Sequence, residues 1–342
     1  MKSRLALVFH LFFTLAGFGQ AQDSAAFYLQ KGNEASNSRL YMVASKAYLQ
    51  SISYDSSNPD TYRELGKVYV EMRHYPEAIV AFRKVQKLAP KDSSATRNLA
   101  MLYYSTRRWE DAIKYAKIMQ EEHMAGNAEY ILGQSYTELE DYGQAYPHLQ
   151  AALKTDTGNA QIYYTIARNF VEMSNYRSAA PFFVKAIAHD TTNARWVYET
   201  ALSYAAIPDD KNAITYYELA ARRGYKMDNE FFENISISYE ATGQLDKCIE
   251  TLKTLLQKKP ADLELLNGVA YAEYKAKRYQ DAIDHWDMIL SYDKQNAKAL
   301  YMIGIAYQKK GDKEKGAQLC DQAIKMDPSL ANLKQQKSQP GL

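Results

Sequence analysis

PDTYRELGKVYVEMRHYPEAIVAFRKVQKLAP, residues 59–90, is the stretch whose reading decides the fold. Tyr62, Leu65 and Tyr69 recur at three- and four-residue steps, which places them on one face of a helix. A polar break follows at Arg73-His74, and then Ala78, Phe82 and Val85 mark a second stripe of the same period. Pro90 stops that second helix because its ring removes a donor from the helical ladder. Asp92 or Ser93 can cap a further helix just beyond it. The stretch predicts a helical hairpin.

The hairpin repeats. Pro90, Pro260 and Pro328 are separated by 170 and 68 residues, five and two times 34, and Gly66 and Gly304 by 238, seven times 34. A fixed period of this size is the signature of a stacked array. On a 34-residue frame a column of small residues reads Ala44, Ala78, Ala112, Ala145, Ala179, Ala213, Cys248, Ala282 and Gly316. Three places earlier stands a mostly aromatic column of Tyr41, Tyr75, Trp109, Tyr142, Tyr176, Leu245 and Tyr279. Four places after the small column come Tyr48, Phe82, Ala116, Leu149, Phe183, Tyr217, Leu252, Trp286 and Cys320. Tyr69, Tyr103, Tyr136, Phe170, Tyr204, Tyr239 and Tyr307 occupy an earlier column. Nine units begin near Ala25, Pro59, Ser93, Gly126, Ala160, Ala194, Asn229, Leu263 and Ala297. The third is one residue short and the sixth one long, the latter containing Ala221-Arg222-Arg223-Gly224-Tyr225, where Gly224 is placed to end a helix.

The columns have physical causes. A small residue is required where two helices cross closely, and the flanking aromatics fill the space left between hairpins. Most of the 29 tyrosines are thereby assigned to the core. Some positions depart: Ala35 replaces the first aromatic of unit one, Glu273 that of unit eight with Tyr274 one place off, and Lys313 and Gly316 enter the last second helix.

Leu65-Gly66, Tyr69, Ala78, Phe82 and Pro90, with Ile303-Gly304, Tyr307, Ala323 and Pro328, resemble the tetratricopeptide repeat pattern. That resemblance implies an all-α fold, a right-handed superhelical solenoid of antiparallel helix hairpins. It covers residues 22–330, with 331–342 expected as a short polar cap or tail that frays at Ser338-Gln339-Pro340-Gly341.

Residues 1–21 read as a signal peptide. Lys2 and Arg4 precede an apolar run from Leu5 to Phe18, and Gly19-Gln20-Ala21 supplies small residues at a cleavage site. The run is short for a span of about 30 Å of hydrocarbon, so cleavage is favoured over a retained anchor and no transmembrane segment is expected afterwards. Export to the periplasm or the exterior is the expectation, with association with an outer membrane or a membrane complex left open. Losing Lys2 and Arg4 leaves a chain of zero net charge. Such a chain has no global field to steer it onto nucleic acid or anionic lipid, and no nucleic-acid partner is expected.

The sequence offers no chemistry to an enzyme, and no cofactor or metal is expected. It has no HExxH, CxxC, P-loop or dinucleotide glycine pattern after residue 21. His74, His123, His148, His189 and His285 fall in different hairpins, and Glu121-Glu122 and Asp209-Asp210 near helix ends. Cys248 and Cys320 stand two hairpins apart on packed faces and read as small buried residues. The Asn234-Ile235-Ser236 sequon lies within a packed first helix, and Lys309, Lys310, Lys313 and Lys315 read as a solvated surface.

The resemblance implies that first helices line a concave groove that holds a peptide or a partner's helix. One groove column reads Leu29, Arg63, Arg97, Tyr130, Tyr164, Tyr198, Glu233, Asn267 and Tyr301, and its neighbour Asn33, Lys67, Met101, Gln134, Arg168, Leu202, Ile237, Tyr271 and Ile305. Arg63, Lys67, Arg97 and Asn98 form a basic stretch. Tyr104, Tyr130, Tyr164 and Tyr198 form an aromatic ladder with Arg168 beside it, while Gln134, Tyr271 and Tyr301 complete the candidate set. Arg63, Lys67 and Asn98 fit a carboxylate clamp in part, but Asn127 and Ile131 stand where further basic residues are needed. An acidic or aromatic peptide is the better expectation. The leading expectation is a non-enzymatic scaffold or adaptor of the cell envelope with a protein or peptide partner. Two others stand beside it: a structural subunit held by its edges and convex face, and a carbohydrate or small-ligand binder using the tyrosines.

Overall fold

A computed structural model describes residues 22–331. The expected signal peptide, and all but the first residue of the expected tail, lie outside them. Among the described residues there are eighteen α-helices, one 3-10 turn and no strand. First helices are α1 (22–37), α3 (Pro59–Glu71), α5 (Ser93–Ser105), α7 (Ala128–Glu138), α9 (Ala160–Glu172), α11 (Ala194–Ala206), α13 (Asn229–Ala241), α15 (Leu263–Lys275) and α17 (Ala297–Lys310). Second helices are α2 (Tyr41–Tyr54), α4 (Tyr75–Leu88), α6 (Trp109–Glu121), α8 (Tyr142–Thr155), α10 (Tyr176–His189), α12 (Asp210–Arg222), α14 (Leu245–Lys258), α16 (Tyr279–Tyr292) and α18 (Lys313–Met326). The 3-10 turn Pro328–Leu330 follows and buries Leu330 against Ala323 and Cys320. The chain divides into two compact units, one ending at Asn169 and one beginning at Phe170. Within each, helices pack chiefly on their neighbours in sequence, the arrangement of a hairpin solenoid.

The helices begin where the chain supplies caps. Asn58, Asp92, Asn193, Asp228, Asp262 and Asn296 each accept a backbone N–H from the first turn of a first helix. Losing one such cap costs about 1 kcal/mol. The hairpin turns share a less legible device. Arg39, Arg73, Arg107, Glu140, Ser174 and Lys277 all hold φ between 56° and 62°, and Gly243 and Gly311 stand at the same place. A left-handed residue with a Cβ costs roughly 1–2 kcal/mol. What offsets it is the bond that closes each turn, such as His74 N to Tyr69 O at 2.8 Å and Asp141 N to Tyr136 O at 2.9 Å.

The small column is buried throughout. Ala44, Ala78, Ala112, Ala145, Ala179, Ala213 and Ala282 are fully enclosed, and Cys248 and Gly316 are buried with them. Four places on, Tyr48, Phe82, Leu149, Phe183, Tyr217 and Trp286 are sealed too, each worth roughly 1.5–3 kcal/mol of burial or more. Their rings and chains lie against a facing small column on the first helices. A Cβ added at Gly32 would meet the Tyr48 ring, at Gly66 the Phe82 ring, and at Gly133 the Leu149 side chain. Ala145→Tyr is therefore expected to overpack α7 against α8 and cost roughly 1–3 kcal/mol. An unchanged melting transition in that variant would contradict the packing described. Both cysteines are free and buried, and burial pushes the Cys248 thiol up to about 11.

Candidate functional site

The first helices of the N-terminal unit carry most of the candidate residues, and the structure uses several of them internally. Arg63 on α3 donates through Nε to Asp92 at 3.0 Å and also bonds Asp60. Asp92 is itself the cap of α5, so Arg63 ties one hairpin to the next. Burial opposes the charge of Asp92, but the Ala95 N–H and Arg63 outweigh it and hold the carboxyl below its usual range. Lys67 is exposed and pairs with Glu64 at 2.7 Å, while Asn98 donates to Ser94 O at 2.8 Å. The expected basic stretch is thus largely neutralised by its own acids, and Arg97 is the half-exposed cation that continues it.

The aromatic ladder holds in part. Tyr104 packs edge-on against Tyr130, ring centroids 6.0 Å apart, and tilts over Trp109 at 5.8 Å. Burial, then the hydrogen bond shared with Tyr130, drives the Tyr104 hydroxyl well above the usual phenol range. Tyr130 borders a cleft of about 390 Å³ lined also by Asn127, Glu129, Thr155, Asp156, Asn159 and Ile162. Tyr164 and Arg168 stand one turn apart on α9, with Arg168 Nη1 3.4 Å from the Tyr164 hydroxyl. All four remain half-exposed.

Three expected surface residues are buried instead. Gln134 donates to Thr165 Oγ1 at 3.0 Å, a buried polar bridge from α7 to α9 that runs beside the Asn169–Thr137 bond of 2.8 Å. Tyr198, in the C-terminal unit, is only 5% exposed. The residue that covers it comes from the long sixth unit: Tyr225, just after Gly224 at φ 86°, stacks on it at 4.3 Å. Phe231 packs nearby at 5.8 Å, and Asn234 donates to the Tyr198 hydroxyl at 3.0 Å. Burial pushes that hydroxyl up to about 12. Tyr301 is 4% exposed, inside the cluster around Cys320 and Ala323. These columns lie one step from the core, and whether a ring falls inside depends on the local tilt of neighbouring helices, which spacing does not encode. Tyr271 is exposed as expected, with Lys275 over its ring at 4.8 Å. Met101 and Ile237 of the same groove column, outside the candidate set, are exposed apolar residues.

The Glu273 departure from the aromatic column of unit eight is a buried charge. Glu273 on α15 is fully enclosed, with Lys253 Nζ at 2.7 Å and His285 Nδ1 at 2.8 Å. In α5–α6, α7–α8 and α11–α12 the same two positions hold stacked rings, Tyr103–Tyr115, Tyr136–His148 and Tyr204–Tyr216. The ion pair replaces the ring pair and joins α14, α15 and α16. It binds the three helices together.

Hairpin after hairpin with a shared small column defines a helical-repeat protein. The tetratricopeptide repeat profile matches residues 63–127, 164–226 and 234–291, more than half of the chain, and a second tetratricopeptide profile matches 297–330. The chain belongs to the tetratricopeptide repeat family. Among solved structures it is similar to YrrB, described as a TPR protein with an unusual peptide-binding site, at 20% identity over 56% of this chain and 98% of that one, with a TM-score of 0.45. It is also similar to MamA from Desulfovibrio magneticus RS-1, at 14% identity over 50% of this chain and 96% of that one, TM-score 0.41. MamA AMB-1 matches at 16% identity over 52% and 97%, TM-score 0.46. No protein of curated function matches the chain. No helix among the described residues is long and apolar enough to cross a membrane.

Proposed function

We propose that this chain is a non-enzymatic scaffold of the cell envelope that holds a peptide or partner protein on the first-helix face of its N-terminal unit. One observation carries the reading. Arg97, Tyr104, Tyr130, Tyr164 and Arg168 stay half-exposed on α5, α7 and α9 beside exposed Met101, although the core is filled by other side chains. Tyrosine and arginine combine broad contact area with directional polar groups, and they are enriched at binding hot spots. Arg97 and Arg168 favour a ligand with carboxylates, and the rings favour one with aromatic or apolar side chains. Export is supported by the positive and then apolar run of residues 2–18 and the small residues at 19 and 21.

The test is capture from envelope extract by the chain without residues 1–21, run beside Tyr130→Ala/Tyr164→Ala. Loss of two hot-spot rings costs about 2 kcal/mol or more, about thirtyfold in affinity. The variant is expected to fold with a near-native melting temperature and to lose the partner. Equal retention by both proteins would contradict the reading and move binding to the second-helix face or the edges.

A further inference from the structure

Two ring pairs seal successive hairpins on the second-helix side of the N-terminal unit, and the hairpin before them lacks its second ring. Tyr103 stacks on Tyr115 at 5.4 Å and Tyr136 on His148 at 5.7 Å, each partner standing twelve places further along. Tyr115 reaches across the seam to Gln86 of α4, its hydroxyl donating at 2.9 Å, so the second ring of the pair closes the junction between successive second helices. One hairpin earlier, Tyr69 has the first-ring position, and the residue twelve places on is Ala81. The ring that would close the α2–α4 junction is missing. In its place is an apolar cavity of about 510 Å³, bordered by Tyr69, Tyr62, Ala81, Leu49 and Val80.

The rim departs from the repeat in the same direction. Val80 is 69% exposed and Leu49 is 49% exposed. At the Val80 position the next hairpin has Lys114, and at the Leu49 position the next two have Arg83 and Lys117. An isolated exposed side chain is ordinary, but two flanking an open, mostly apolar cavity mark an interaction surface. Lys84, 5.7 Å from the Tyr62 ring centroid, adds a cation at the mouth.

We propose that the cavity between α2, α3 and α4 is a docking slot for an aromatic side chain of a partner polypeptide, which stacks on Tyr69 as Tyr115 stacks on Tyr103. The occupant's chemistry follows from the chain itself: the slot continues a seam that closes on a ring in the next two hairpins, at Tyr115 and at His148. Leu49 and Val80 then cover the apolar residues beside that anchor, with Glu77 and Lys84 both bordering the slot. This surface is separate from the first-helix face, and either can fail without the other.

The probes are a designed amphipathic helical peptide of Ala, Glu and Lys carrying one tyrosine, and its counterpart with alanine at that site. Methyl NMR of Leu49 and Val80 is expected to show saturable shifts with the tyrosine peptide and none with the alanine peptide. Ala81→Tyr, which supplies the missing ring from within, is expected to keep or raise the melting temperature. It should weaken peptide binding at least about tenfold, the scale of one buried ring. Tyr130→Ala/Tyr164→Ala is expected to leave this binding unchanged. The proposal is overturned by equal shifts from both peptides, by no shifts, or by a lower melting temperature in Ala81→Tyr. A native dimer that Ala81→Tyr turns into a monomer would overturn it too, assigning the slot to a second copy of the chain.

Discussion

Replacing Lys253 with Met and His285 with Leu together is expected to destabilise the protein by roughly 3–5 kcal/mol, because the Glu273 carboxylate would be left buried with no cation. Urea unfolding of the native and double-variant proteins measures it. Glu273→Tyr is expected to be far milder, since it removes the charge and restores the ring that Tyr103, Tyr136 and Tyr204 supply elsewhere. Replacing a whole buried ion network by packed side chains is often neutral or stabilising. If the double variant loses nothing, the network is not what holds α14, α15 and α16 together.

The same network carries a pH signature. Burial alone would raise the Glu273 carboxyl, but the bonds from His285 and Lys253 outweigh it and hold the group below its ordinary 4.5. Its contribution to stability is present above that ordinary value and lost as pH falls through the lowered one. The bond to Glu273 raises His285 above its ordinary 6.5. Its contribution is complete below 6.5 and lost as pH rises through the raised value. Native stability is therefore expected to decline as pH rises from 6.5 through the raised His285 value and to level off beyond it, and the double variant to lack that step.

Two glycine-to-alanine substitutions are expected to act in opposite directions. At Gly304 on α17 an added Cβ would lie 2.7 Å from Gly316 O and 2.9 Å from Cys320 N, both backbone atoms that cannot move without parting α17 from α18. Gly304→Ala is expected to cost about 1–3 kcal/mol through overpacking. At Gly268 on α15 the nearest atom is the Leu252 Cδ1 methyl at 3.5 Å, an ordinary contact. Gly268→Ala is expected to stabilise by about 0.4–1 kcal/mol, because the unfolded chain loses freedom. Thermal melts of the two variants decide it. Equal effects would mean that the close approach of α17 and α18 is not fixed by Gly304.

The 34-residue period and the small column were legible because close helix crossing tolerates few side chains, so its trace survives every other change of sequence. The hairpin turns were less so. Arg73, Arg107, Glu140 and Lys277 adopt a left-handed conformation that glycine would have advertised, and only Gly243 and Gly311 do advertise it. Burial at the edge of the core was also hard to read. Tyr130 and Tyr198 share one column, yet only Tyr198 is enclosed, because the extra residue of unit six brings Tyr225 and its loop across it. Glu273 was visible as a departure from an aromatic column. Its partners Lys253 and His285 come from the two flanking second helices, which repeat arithmetic aligns but does not pair. Ala81 was similar: a small residue in a column is unremarkable until its neighbours' rings are seen to meet.

The proposed function places a partner on the first-helix face of the N-terminal unit. Photo-crosslinking tests it most directly, with benzoylphenylalanine placed by Met101→benzoylphenylalanine on α5 and, separately, by Lys114→benzoylphenylalanine on α6. Both native residues are exposed, so neither replacement disturbs the core. A crosslinked partner is expected from position 101, lost when Tyr130→Ala/Tyr164→Ala is added, and none from position 114. A crosslink from position 114 with none from position 101 would contradict it.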